Sequence, residues 1–152
     1  MRSYPNYRIA VEIILLHNNK VLLTKRADHC EINPAVWNVP AGKVKYEEIP
    51  KAALFREAKE EINLDVEFIK ELDVRAFKGT SAIEDFYRCV FTYLVKAVDD
   101  NIDHLQINEE HSEYAWVDKN DLQDEKYASL HLNLRRIILK LLDEVSFFPV
   151  IT

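Results

Sequence analysis

Glycine is nearly missing from this sequence. Only Gly42 and Gly79 occur in 152 residues, where average usage of about 7% would give roughly ten. That scarcity excludes collagen-like and glycine-rich low-complexity chains. It also excludes the common glycine loops for phosphate, G-x-G-x-x-G and G-x-x-x-x-G-K-[ST], which two distant glycines cannot form. Cysteine is equally sparse. Cys30 and Cys89 show neither metal-ligand spacing nor a disulfide framework, so a reduced, cytoplasmic protein is expected. Positive charge is in deficit: 20 Lys and Arg face 26 Asp and Glu, for a net charge of −6 and a pI near 5.4. That balance disfavours nucleic acid and anionic membranes as partners. No run of about 18 uncharged apolar residues is present to span a bilayer. Residues 1–8 show no small-residue cleavage site of a secretory signal.

What is present reads as an ordinary globular domain, 48% hydrophobic and 30% charged. Its length fits one domain over residues 1–152, since domains usually hold about 100–150 residues. Ile9 to Leu16 and Lys20 to Thr24 are apolar runs around Asn18-Asn19 and read as a β-hairpin. Val36 to Val39 is a short strand before Pro40, after an irregular polar stretch from Ala27 to Pro34. Pro50 to Ile62 has helical periodicity and opens on proline, which a first turn tolerates. One or two strands are expected in Val66 to Phe77 and another in Phe86 to Val95. Asp99 to Glu113 reads as an acidic loop, Tyr114 to Val117 as a strand, and Asp118 as the cap of a helical turn. Ser129 to Val145 is an amphipathic helix with Leu130, Leu134, Ile137, Ile138, Leu141 and Leu142 on one side. Strands with two main helices imply an α+β fold, an α/β/α sandwich around a mixed sheet.

The chemistry concentrates on the central helix. Leu54, Phe55, Ala58 and Ile62 form its expected core stripe, with Glu57 and Glu61 directly beside it and Glu60 further out. Like charges at i, i+4 destabilise a helix unless something positive sits between them. A divalent cation would compensate, and hard oxygen ligands suit Mg2+ or Mn2+ rather than zinc. A solvated acidic face is the competing reading.

Gly42, five residues, Glu48, seven residues, then Arg56-Glu57-Ala58-x-Glu60-Glu61-x-x-Leu64 resembles the Nudix box, G-x5-E-x7-R-E-U-x-E-E-x-G-U. The box spans residues 42–64, and the order of elements around it is also similar to a MutT-like Nudix domain, with a curved mixed sheet. Three positions depart from the pattern. Asn63 replaces the second glycine, where a left-handed helix end is expected and Asn is the best substitute. Ala41 replaces the glycine that commonly precedes the box, and Glu47 the one often found before its first glutamate.

The resemblance implies metal-dependent hydrolysis of a nucleoside diphosphate linked to another moiety, with Mg2+ as cofactor and Mn2+ as alternative. Glu57 and Glu61 would be the principal metal ligands, with Glu60 assisting and the Ala41 carbonyl completing the shell. Arg56 would orient the glutamates, with Glu48 in the same supporting network. Asn108-Glu109-Glu110-His111 precedes the Trp116 strand, and Glu110 is the candidate for a further ligand or base. Gly42 and Lys43 in the box loop, and Arg26 at the end of the hairpin, are candidates for substrate contact. For Arg26 a pairing with a neighbouring acid is the stronger expectation. Trp37 and Trp116 are expected in the core, as are Phe77, Phe86 and Tyr87, which are otherwise candidates for a base pocket. His29, His104 and His111 have no ligand spacing and receive no role.

Family subgroups carry extra signatures that this chain lacks. No proline of the ADP-ribose type stands about sixteen residues past the box, where the chain reads Gly79-Thr80-Ser81. The diadenosine polyphosphate tyrosine and the NADH pyrophosphatase signature are absent too. The default is therefore a nucleoside-triphosphate pyrophosphatase releasing a monophosphate, with ADP-ribose or a nucleotide sugar as runner-up. A non-catalytic nucleotide sensor is the alternative of another class. The expected partner is a small nucleotide, without nucleic acid or membrane. A homodimer is compatible with the apolar tail from Phe147 to Ile151.

Overall fold

The computed structural model describes residues 6–80 and 85–147. The tail from Phe148 onward therefore lies outside the described residues. Seven strands form one mixed sheet in the order β3-β2-β1-β6-β5, with β4 pairing β1 and β7 pairing β2. They are β1 (Tyr7–His17), β2 (Lys20–Arg26), β3 (Trp37–Asn38), β4 (Ala41–Lys43), β5 (Val66–Thr80), β6 (Asp85–Ala97) and β7 (His111–Val117). Helix α1 (Pro50–Ile62) follows β4, and α2 (Leu132–Phe147) closes the described chain. β1 and β6 run parallel, from Tyr7 opposite Tyr87 to Leu15 opposite Val95, and the remaining pairs are antiparallel. One parallel pair among antiparallel ones is the mixed sheet that two helices allow.

β1 explains why the sheet has a helix on each face. Its apolar residues do not alternate with polar ones, so both faces must be covered. Val11, Ile13 and Leu15 pack with Ala53, Leu54, Ala58 and Ile62 of α1. Ile14 and Leu16 face the other way, towards Leu134, Ile138, Leu141 and Leu142 of α2. The sandwich expected from the sequence is what forms.

Local signals also hold. Asn18 and Asn19 both take positive φ, 49° and 61°, as a two-residue hairpin turn requires. Asn63 ends α1 in the left-handed region (φ 56°, ψ 36°), its N–H donating to the Lys59 carbonyl. Asp118 Oδ1 accepts from the Asp121 N–H at 2.9 Å, as expected of a cap. Four details differ. The strand from Val66 runs past Phe77 to Thr80, bent by register shifts at Phe68/Lys70 and Glu71/Asp73. The strand expected from Tyr114 begins at His111, within the expected acidic loop. Helix α2 begins at Leu132 rather than Ser129, though Leu130 is still buried. The core stripe of α1 is displaced by one position: Ala53 is buried, whereas Phe55 is 43% exposed. The apolar arc then passes over Glu57 and Glu61, so both carboxylates lie within the buried face instead of beside it.

Candidate active site

Arg56 organises the outer flank of α1. Its Nε and Nη2 donate to Glu48 Oε2 and Oε1 at 2.9 and 2.8 Å, a two-pronged pair of charge-assisted bonds. Its Nη1 donates to Glu57 Oε1 at 2.7 Å and to Glu60 Oε2 at 3.1 Å. Nη2 also reaches the Lys43 carbonyl at 2.9 Å, fastening α1 to β4. The hydrogen bonds from Arg56 and the Lys45 N–H pull the Glu48 carboxyl down to about 2. Glu48 and Glu57 in turn hold the guanidinium above its ordinary range. Glu57 moves the opposite way. Burial raises its carboxyl, the bond from Arg56 opposes the rise, and the charge of Glu61 adds to it.

Gly42 makes room for this arrangement. A Cβ built on it would fall 1.9 Å from Glu57 Cδ and 2.2 and 2.3 Å from its two oxygens. Gly42 does not have a positive φ, so the close approach and not backbone freedom explains the glycine. Beside it, the Ala41 N–H donates to Glu61 Oε2 at 2.9 Å. Pro40 and Val44 bond to β1 at Ile13 and Ile9, and Ala41 turns its N–H to the helix instead.

A loop fastened to the end of α1 brings two more candidate ligands beside Glu61. The Gln106 and Asn108 N–H groups donate to the carbonyls of Ile62 and Glu61, and Asn63 Nδ2 donates to the His104 carbonyl. The end of α1 thereby anchors the segment that carries Glu110 and His111. One ligand atom each from Glu61, Glu110 and His111 lie within 4.8 Å of one another. Glu57, Glu60 and Glu61 do not form such a group among the described residues. The His111 side chain is only 4% exposed, with Nε2 3.5 Å from Glu61 Oε2. Both of its ring nitrogens are buried without a hydrogen-bond partner.

A cleft of about 820 Å³ opens on the α2 side of the sheet. Ala41 lines it, which joins it to the acidic flank; Asn33, Asn38, Phe77, Arg88 and Asn133 also contribute. Its inner wall holds a buried ion pair. Arg75 Nη1 and Nη2 donate to Glu12 Oε1 and Oε2 at 2.9 and 3.0 Å, and Thr92 Oγ1 donates to Oε1 at 2.8 Å. The volume lies within the range of about 300–1,000 Å³ common to small-molecule sites.

The other candidates distribute unevenly. Lys43 offers its carbonyl to Arg56 and exposes its side chain. Arg26 donates from Nε to the Ile32 carbonyl at 2.9 Å, and among the described residues it makes no ion pair. Trp37 is buried in the α2-side core, edge-on to Tyr127, and Trp116 packs on the α1-side core. Phe77 departs from its core expectation: it is 40% exposed and lines the cleft. Phe86 lies where a Cβ on Gly79 would be, and Tyr87 packs against Tyr7. Sequence reasoning missed Glu12, Arg75 and His111. Glu12 carried a usable signal, a lone acid inside an apolar run.

Comparison with known proteins agrees with this architecture. The pattern of the NUDIX domain family matches residues 6–140. An RNA pyrophosphohydrolase from Marinomonas sp. is 42% identical over 65 residues, covering 43% of this chain and 38% of that protein. One from Campylobacter jejuni subsp. doylei is 40% identical over 77 residues, covering 47% of each. The matches thus span less than half the length of these curated relatives. Among solved structures, a MutT protein from Methanosarcina mazei Go1 superposes with a TM-score of 0.72 at 22% identity, covering 95% of this chain and 99% of the other. That likeness concerns the fold, while the sequence pattern concerns descent. With the pattern matched from the first described residue into α2, this chain belongs to the NUDIX domain family.

Proposed function

We propose that the protein is a metal-dependent pyrophosphohydrolase that cleaves a nucleoside 5′-triphosphate to the monophosphate and pyrophosphate. The observation that carries this reading is the junction at Ala41, which contacts Glu61 on the acidic flank and lines the cleft. A nucleotide in the cleft would then present its phosphates to the carboxylates. Arg88 supplies positive charge there, Arg75 being paired with Glu12, while Phe77 offers a face for a base and Asn33, Asn38 and Asn133 amides for base edges.

The donor set fits a divalent ion. Glu48, Glu57 and Glu60 share the single guanidinium of Arg56, while among the described residues Glu61 and Glu110 pair with no Lys or Arg, which leaves excess negative charge on a partly buried flank. Glu57 and Glu61 would hold the ion, with Glu60 and the Ala41 carbonyl assisting and Mg2+ as the first candidate. When bound, such an ion neutralises phosphate charge and lowers the pKa of an attacking water. Arg56 keeps Glu57 and Glu60 in position through its two bonds, and Glu48 keeps Arg56 in position. Glu110 at the solvent side is the candidate for a further ligand or for the base that takes the water's proton. Free thiols at Cys30 and Cys89 suit a reducing compartment such as the cytoplasm.

Titrating a panel of nucleotides with Mg2+ and identifying the phosphate products tests the proposal. Pyrophosphate and a monophosphate should appear, and Glu61→Gln should abolish turnover while melting like the wild type. Full activity in EDTA, or in the Gln variant, would sink it. The partial-length relatives named as RNA pyrophosphohydrolases favour a second reading, in which the triphosphate sits at an RNA 5′ end. A triphosphorylated oligonucleotide cleaved faster than free triphosphates would select it. Preference for ADP-ribose or a nucleotide sugar would reject both.

A further inference from the structure

We propose that His111 is a nitrogen ligand of the divalent ion on this flank, so that the site favours Mn2+ or Co2+ over Mg2+. The inference rests on the reading of the flank as a metal site. It starts from an energetic anomaly. A buried polar atom without a partner is costly to fold, and His111 has two such nitrogens. Among the described residues no protein group hydrogen-bonds either nitrogen.

The surroundings do explain it. His111 Nε2 stands 3.5 Å from Glu61 Oε2, longer than an ordinary N–H···O hydrogen bond. It is, however, the spacing of roughly 3.0–3.5 Å that two ligands of one ion keep when each lies about 2.1 Å from it. A Glu110 carboxylate oxygen completes the triangle within 4.8 Å. The backbone holds the ring there by two means. The His111 N–H donates to the Asn108 carbonyl at 3.1 Å, which is part of the loop anchored to α1. A register shift between Lys25 and Arg26 places His111, instead of Ser112, opposite Arg26. Such bulges re-aim side chains beside functional sites.

Chemistry sets the metal preference. Carboxylates, carbonyls and water suit Mg2+ and Mn2+ alike, but Mg2+ demands oxygen ligands and dehydrates reluctantly, whereas a first-row transition ion also accepts an imidazole nitrogen. An imidazole added to the carboxylates therefore shifts the site towards Mn2+ or Co2+. The same site still accepts Mg2+ through its oxygens.

Pulsed EPR of the wild-type protein with Mn2+ alone, and no nucleotide, tests the assignment. A 14N coupling to the bound Mn2+ is expected, replaced by a 15N pattern after histidine labelling. His111→Gln should lose the coupling and raise the Mn2+ Kd about tenfold or more, while the Mg2+ Kd shifts less than about twofold. Bound Mn2+ without nitrogen coupling, coupling that persists in His111→Gln, or equal Mn2+ affinity in a folded variant would overturn it. Because the labelling experiment uses the wild type, it decides even where the variant does not fold. Nitrogen coupling in a protein that hydrolyses no nucleotide would remove the proposed activity and leave this assignment standing. Hydrolysis without the coupling would do the reverse.

Discussion

Replacing Gly42 by alanine isolates the geometry of the site from its chemistry, because no carboxylate is removed. The new Cβ would lie 1.9 Å from Glu57 Cδ, where real Cβ contacts essentially never fall below 3.0 Å. Something must give by about 1 Å, and the end of the Glu57 side chain is the mobile partner. That retreat pulls Glu57 Oε1 off its 2.7 Å bond with Arg56. A misplacement of about 1 Å at such a group costs on the order of 100-fold in rate, equivalent to about 2.7 kcal/mol of transition-state stabilisation. Stability moves much less. Without a positive φ at Gly42, alanine is conformationally compatible and gains about 0.4–1 kcal/mol by restricting the unfolded chain. The loss of one largely buried charged bond offsets that gain. Gly42→Ala should therefore melt within a few degrees of wild type, yet release pyrophosphate about 100-fold more slowly in steady-state assays with Mg2+. Wild-type turnover in Gly42→Ala would refute the reasoning, and so would a collapse of the fold.

Two further outcomes concern the neighbouring loop. Glu47 is exposed and held at φ 62°, a conformation that costs an L-residue about 1–2 kcal/mol and glycine far less. Glu47→Gly should raise the melting temperature by about 2–4 °C, and a lowered value in calorimetry would show that the strain is absorbed elsewhere. Glu48 supplies a pH dependence. Its carboxyl lies near 2 in the folded protein against 4.5 ordinarily, so its stabilisation is complete above pH 4.5 and fades as pH falls towards 2. In Glu48→Gln the melting temperature should be lower at pH 6, with a smaller decline between pH 4.5 and pH 2. Parallel curves for the two proteins would show that Arg56 does not depend on this pair.

The legible parts of the molecule were those written in spacing. Asn18-Asn19 predicts a tight hairpin from residue type alone, and Asn63 predicts a left-handed helix end, because few side chains tolerate those conformations. The box carboxylates are legible because their spacing places them along one helix. The displaced core stripe was harder to see. Phe55 is more hydrophobic than Ala53, yet the space under α1 against β1 takes the smaller residue at close range. Packing volume decided it, and periodicity carries no volume. His111 and the Glu12–Arg75 pair escaped for another reason. Their partners lie 50 and 63 positions away, and only the sheet brings them together. The role of Gly42 was half visible: substrate contact was expected there, and the group that requires the missing side chain is Glu57.

The seam between the end of α1 and the loop at 104–108 has a wider consequence. A helix normally leaves its last carbonyls to water or to a cap. Here those of Glu61 and Ile62 serve as pegs on which a distant stretch of chain is hung. Tolerance to change should therefore divide sharply at His104, where Asn63 makes the first tie. Lengthening the stretch from Asp99 to Asp103 alters slack, while lengthening the stretch from Leu105 to His111 detaches Glu110 and His111 from the helix whose carboxylates they join. The helix terminus acts as a ruler, setting the reach of a loop by counting residues from a fixed mark.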